Sequence, residues 1–140
     1  MKILVPVDGS DIALRALKFA IRLCGKLEGD DTLVLLAVEP ALFPGVERKI
    51  GKAAAAKLYA EGHERALAGA RKAALKAKAT VAEVAAIGEP AEEILAVAKA
   101  RKVDLVVMGS HGRGAVKGLL LGSVSSKVLS QAPVPVTIVR

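Results

Sequence analysis

Three glycines and a serine, Gly109, Gly112, Gly122 and Ser123, stand in the pattern G-x2-G-x9-G-S late in the chain. Ahead of them Leu105 to Met108 is a short apolar run, the signature of a buried parallel strand. Behind them Val124, Val128 and Leu129 recur at helical spacing, which sets Ser123 at the mouth of a predicted helix. Strand, glycine loop and helix start form a phosphate-binding geometry. Glycines admit close backbone approach, and the unpaired N–H groups of a helix start face an anion.

Other residues around this loop carry chemistry of their own. Asp8, in the turn Asp8-Gly9-Ser10, is a site carboxylate or a turn and capping group. His111 inside the glycine loop can approach phosphate or act as a base, or be a solvated loop histidine. Arg113 and Lys117 can neutralise a triphosphate or solvate the loop, whereas His63, among alanines and charges, reads as a surface residue. Two other nucleotide signatures are missing. No G-x-x-x-x-G-K-[ST] occurs, and the first strand–helix turn lacks G-x-G-x-x-G, so kinase and dehydrogenase readings fall back.

The elements that must position these residues alternate. Strands are predicted over Lys2–Val7, Thr32–Val38, Thr80–Ile87, Val103–Met108 and Val134–Val139. Between them fall a helix capped by Ser10 and running to about Leu27, a long helix from Glu47 to Lys78 with weak points at Gly51 and Gly62, a helix from Pro90 to about Lys102, and a helix from Ser123 to Gln131. Glu39 to Val46, with Pro40, Pro44 and Gly45, is a loop placed to cover a site. Alternating strands and helices with no internal repeat predict one α/β domain over 1–140: a doubly wound five-stranded parallel sheet with helices on both faces. Such sheets bind ligands at the carboxyl ends of the strands, where strand order reverses. The turns after strands one and four then meet at one crevice if those strands flank the reversal.

Composition narrows the class. The chain is 53% hydrophobic with a mean hydropathy of +0.44, yet no apolar run approaches the ~20 residues of a membrane span. Pro6 and Asp8 interrupt the opening apolar run, which excludes a secretory signal there and gives a cytoplasmic expectation with no membrane partner. The single cysteine, Cys24, falls in phase with Leu14, Leu17 and Ile21 and reads as a buried small hydrophobe. Nine of the 21 basic residues and three of the 14 acids lie between Glu47 and Lys78, so the +7 charge belongs to that segment. A basic helix over 48–78 admits a nucleic-acid reading through phosphate neutralisation. With Phe19, Phe43 and Tyr59 the whole aromatic set, stacking has little to work with, and a solvated helix face is preferred.

With these motifs in place, the chain resembles the universal stress protein family, in the subgroup that binds ATP. The resemblance spans essentially the whole chain: Pro6 to Ser10 (PVDGS), Met108 to Gly114 (MGSHGRG), Gly122 to Leu129 (GSVSSKVL) and Ala132 to Val139 (APVPVTIV). It implies strand order 3-2-1-4-5 and a nucleotide, ATP or else AMP or ADP, between strands one and four. Asp8 would contact the ribose or a Mg²⁺ arriving with the triphosphate, and the backbone of Val38 the adenine edge. Gly109, Gly112, Gly122, Ser123 and Ser125 would line the phosphates, with a backbone N–H from Val124. Pro6, Val7, Met108, His111 and Arg113 complete the implied lining. It further implies a homodimer through the last strand, 134–139, whose apolar edge needs a cover. The expected function is a cytoplasmic, nucleotide-responsive stress module. The alternative is a slow Mg-dependent ATPase, for which only Asp8 and His111 offer to orient water.

Overall fold

The computed structural model describes residues 1–26, 30–112 and 120–140. Its elements run β1 (Lys2–Pro6), α1 (Asp11–Cys24), β2 (Thr32–Glu39), α2 (Val46–Ile50), α3 (Lys52–Lys76), β3 (Val81–Ile87), α4 (Pro90–Ala100), β4 (Leu105–Gly109), α5 (Ser123–Gln131) and β5 (Val136–Val139). The five strands pair in parallel in the order β3-β2-β1-β4-β5, as the resemblance implied. Strand order therefore reverses between β1 and β4.

Both faces of the sheet are covered, which is why its strands read as near-continuous apolar runs. Ile3, Val5, Val7, Leu33 and Leu35 pack on one side against Ala16, Leu17 and Ala20 of α1 and Ala66, Leu67 and Ala70 of α3. Leu4, Val34, Leu36, Val106 and Met108 pack on the other against Ala91, Ile94 and Ala98 of α4 and Val128 of α5. Alanine on the helices and larger aliphatics on the strands let the two layers approach closely. Cys24 is half-buried at the edge of the first cluster, and burial, with Asp31 nearby, pushes its thiol pKa up. Leu129, expected on the core face of α5, is instead 48% exposed, because the buried stripe runs through Ser125 and Val128.

Helix starts follow the local chemistry. The Ser10 hydroxyl accepts from Ala13 N–H at 3.2 Å and caps α1. Ahead of Pro90, at the first position of α4, the Glu89 carboxylate accepts from Ala91 and Glu92 N–H. The predicted helix from Glu47 to Lys78 is corrected to two. Gly51, at φ 89° and ψ 155°, breaks it between α2 and α3, a conformation open to glycine and strained for other residues. Gly62, the other weak point, lies inside a continuous α3.

A guanidinium fork holds α3 to β3. Arg71 Nε and Nη2 donate to the two carboxylate oxygens of Glu83 at 2.7 and 2.8 Å, and Nη1 donates to Glu64. The Arg71 hydrogen bonds hold the Glu83 carboxyl below the usual carboxylate range. A carboxyl with a depressed pKa in the folded state adds stability that is complete above its unfolded pKa and lost as pH falls through the folded one. Arg71→Gln is therefore expected to be slightly less stable than wild type near neutrality. Urea unfolding at stepped pH should show that gap closing as acid protonates Glu83.

Candidate functional site

The crevice opens where β1 and β4 part. Val7 N–H donates to Leu36 O at 2.8 Å, so odd residues of β1 turn their backbone to β2 and even residues turn theirs to β4. Pro6, an even residue, has no N–H to give. The β1–β4 register accordingly ends at Leu4↔Val106, while β1–β2 continues to Pro6↔Leu36. The same alternation turns the backbone of Val38 towards β1 beyond the end of that strand.

The turn after β1 is held by its own side chains and by α3. Asp8 Oδ1 accepts from Ser10 N–H at 2.9 Å. Gly9 has φ 81°, and a Cβ there would stand 3.2 Å from the Arg65 carbonyl oxygen, so the turn and α3 lie in backbone contact. Across the crevice, a Cβ on Gly112 would meet Asp8 Oδ2 at 2.8 Å. The carboxylate and the glycine loop are thus neighbours, and the turns after β1 and β4 meet as expected. A Cβ on Gly109 would likewise crowd Ile12 of α1, at 3.1 Å.

The mouth of α5 is tied to the end of β4 through Ser110, a residue the sequence reading passed over. Ser110 is 2% exposed. Its N–H donates to Val139 O at 2.8 Å, and its carbonyl accepts from Gly122 N–H and from the Ser125 hydroxyl, both at 2.6 Å. Its own hydroxyl pairs with His111 Nδ1 at 3.0 Å. The available signal was position: a small polar residue between a buried strand and a histidine, where backbone must turn out of the sheet. Ser125, expected among the phosphate-lining groups, spends its hydroxyl on Ser110 O and Gly122 O and is itself buried. What it brings to the mouth is a backbone N–H.

Gly122 caps α5 without a side chain, and the first helical backbone bond is Ser126 N–H to Gly122 O at 3.0 Å. The N–H groups of Ser123, Val124 and Ser125 therefore belong to the first turn, at the positive end of the helix dipole. Ser123 is exposed and Val124 half-buried. A Cβ on Gly122 would stand 3.2 Å from His111 Cα, so a side chain there would have to push His111 aside by a few tenths of an ångström. Pro6 is half-buried, and Val7 and Met108 are buried beneath the crevice, each at 5% exposure for the latter two. Arg113, with Gly114 and Lys117, lies outside the described residues.

On the β2 side, α3 forms a wall. The Tyr59 hydroxyl accepts from Leu42 N–H at 2.9 Å and anchors the loop after β2. The Glu39 carboxylate lies against Gly62, which explains a buried glycine in mid-helix: any side chain would displace it. His63 corrects its expected surface role. It is half-buried, and its Nε2 meets Ala86 O at 2.8 Å, which requires the proton on Nε2. The charge of the basic segment is partly answered locally, Arg71 by Glu64 and Glu83 and Lys57 by Glu61.

For a divalent cation, the described residues hold no group of three or more His, Cys, Asp or Glu side chains. One carboxylate, Asp8, stands at the crevice. That donor set fits Mg²⁺ held mainly by phosphate oxygens and water rather than by a protein cage.

Comparison with known proteins agrees with this architecture. The model of the universal stress protein family matches residues 1–140. The universal stress protein in the QAH/OAS sulfhydrylase 3′ region of Thermus aquaticus is 40% identical over 143 aligned positions, covering 99% of this chain and 97% of the relative. The solved structure of MJ0577 from Methanocaldococcus jannaschii superposes with a TM-score of 0.84 at 30% identity, covering 99% of this chain and 94% of that one. A universal stress protein solved in complex with cAMP superposes with a TM-score of 0.75 at 25% identity, covering 100% and 97%.

The Ser125 clamp has a measurable worth. Ser125→Ala leaves the helix intact but removes a buried donor shared by two carbonyls, and should lower the unfolding free energy by about 1–2 kcal/mol. Urea denaturation with an unchanged m-value is the check.

Proposed function

The chain belongs to the universal stress protein family, and from that premise we propose that it binds an adenine nucleotide, ATP or AMP, in the crevice between β1 and β4. The observation that carries this reading is the mouth of α5. A helix start without a side-chain cap stands beside Gly109, Gly112 and Gly122, with Asp8 against the loop. The N–H groups of Ser123, Val124 and Ser125 take the phosphates, and the Ser123 hydroxyl adds a further donor. The Val38 backbone, turned past the end of β1, takes the adenine edge. Pro6, Val7 and Met108 floor the crevice, and His111 and Arg113 flank the phosphates. Asp8 faces the ribose or the Mg²⁺ that accompanies a triphosphate. The cAMP complex of a structural neighbour supports a nucleotide as the ligand class.

In this reading residues 1–140 form one nucleotide-binding domain of a cytoplasmic stress-response module, acting through its conformation and partners. The domain pairs with a second copy through β5. Val106 N–H to Pro135 O and Ser110 N–H to Val139 O turn the odd residues of β5 towards β4, leaving Val136 and Ile138 to present their backbone at the open edge.

Two measurements test the proposal. Calorimetric titration of nucleotide-free protein with ATP and with AMP, with and without Mg²⁺, should give micromolar or tighter binding (about 8 kcal/mol or more). Gly122→Val should abolish it, because its side chain enters the space of His111. No heat from the wild type overturns the nucleotide reading. Sedimentation velocity should show a dimer that Ile138→Pro, lacking one outward N–H, converts to monomer. A wild-type monomer overturns the β5 pairing.

A further inference from the structure

A short amphipathic segment follows β2, and the proposed nucleotide site draws no contact from its helix. Helix α2 buries none of its residues. Val46 and Ile50, one turn apart on the helix, are 37% and 39% exposed, and Phe43, in the turn ahead of it, is 82% exposed. The hydrogen bond from Val46 N–H to Phe43 O at 3.0 Å joins the loop residue to the start of the helix. Arg48, Lys49 and Lys52, all exposed, stand beside these apolar residues in sequence, and Glu47 is the only acid between Pro40 and Ala60. The segment is held at both ends, by Leu42 N–H on the Tyr59 hydroxyl and by the backbone break at Gly51.

We propose that this segment docks on an anionic phospholipid surface, with Phe43, Val46 and Ile50 entering the headgroup region and Arg48, Lys49 and Lys52 pairing with lipid phosphates. Charge selects that partner. The exposed cations Arg48, Lys49 and Lys52 around these apolar side chains complement negative headgroups. A peripheral contact of this kind differs from the absence of a membrane partner expected from the sequence. Among the described residues no helix is long and apolar enough to cross a membrane.

Co-sedimentation with vesicles of phosphatidylglycerol and phosphatidylcholine, against vesicles of phosphatidylcholine alone, tests it on the full chain. The expected result is binding to the anionic vesicles only, weakened at about 1 M salt, where charges are screened within about 3 Å. Phe43→Ser/Ile50→Ser and Arg48→Glu/Lys49→Glu should each reduce the bound fraction by roughly tenfold or more. Unchanged far-ultraviolet circular dichroism shows both variants folded. Equal binding to neutral vesicles, undiminished binding by either variant, or no binding by the wild type overturns the proposal. So does a wild-type oligomer that ignores vesicles and dissociates in the Phe43→Ser/Ile50→Ser variant, which would make these side chains a contact between copies.

Discussion

The candidate site depends on one carbonyl. Ser110 O receives the Gly122 N–H and the Ser125 hydroxyl at once, and the Ser110 N–H is bound to β5. Two positions twelve residues apart in sequence, Ser110 and Gly122, are thus joined directly by a hydrogen bond. The start of α5 is fixed in position and direction before any ligand arrives. An anion site made of backbone N–H groups works only if those groups are already aimed, since each must surrender water for the ligand.

The opposite wall is built by α3 with different means. Tyr59 holds the loop after β2, Gly62 makes room for Glu39, His63 reaches the carbonyl of Ala86, and Arg71 grips Glu83. These contacts fasten the helix to β2, to the loop after it and to the edge strand β3, while Ala66 and Ala70 face the core. The helix that carries the most positive charge is therefore also a brace, with part of its charge committed to that task. The same brace supports the segment at α2, so its apolar side chains are presented from a firm base rather than from a loose loop.

Much of this was legible in the residues. The alternation of apolar runs and alanine-rich stretches marked every strand and nearly every helix, because a parallel sheet covered on both faces leaves strands continuously apolar. The glycine spacing marked the loop, and the resemblance supplied the strand order. What escaped had tertiary causes. Gly51 and Gly62 look alike in sequence, yet one breaks the helix and the other admits a carboxylate from β2. His63 reads as a surface residue among charges until β3 is placed beside it. Ser110 and Ser125 are ordinary serines whose burial follows only from the closure of the loop. Leu129 has the right type and the wrong angle.

The position of β1 sets an order of events during synthesis. Its β2 edge is answered by residues 32 to 36, available as soon as the first helical crossover has emerged. Its β4 edge waits for Leu105 and Val106, about a hundred residues later, and α5 follows β4. A chain growing from its amino end can lay down β3-β2-β1 with α1 and α3 while the other edge of its central strand stays open. Contacts of that sequence separation form slowly, and an unpaired edge is where nascent chains go astray. Pro6 sits on that waiting edge, withholding an N–H from any passing strand. The residue that parts the strands in the finished protein also withholds an N–H from that edge while the chain is unfinished.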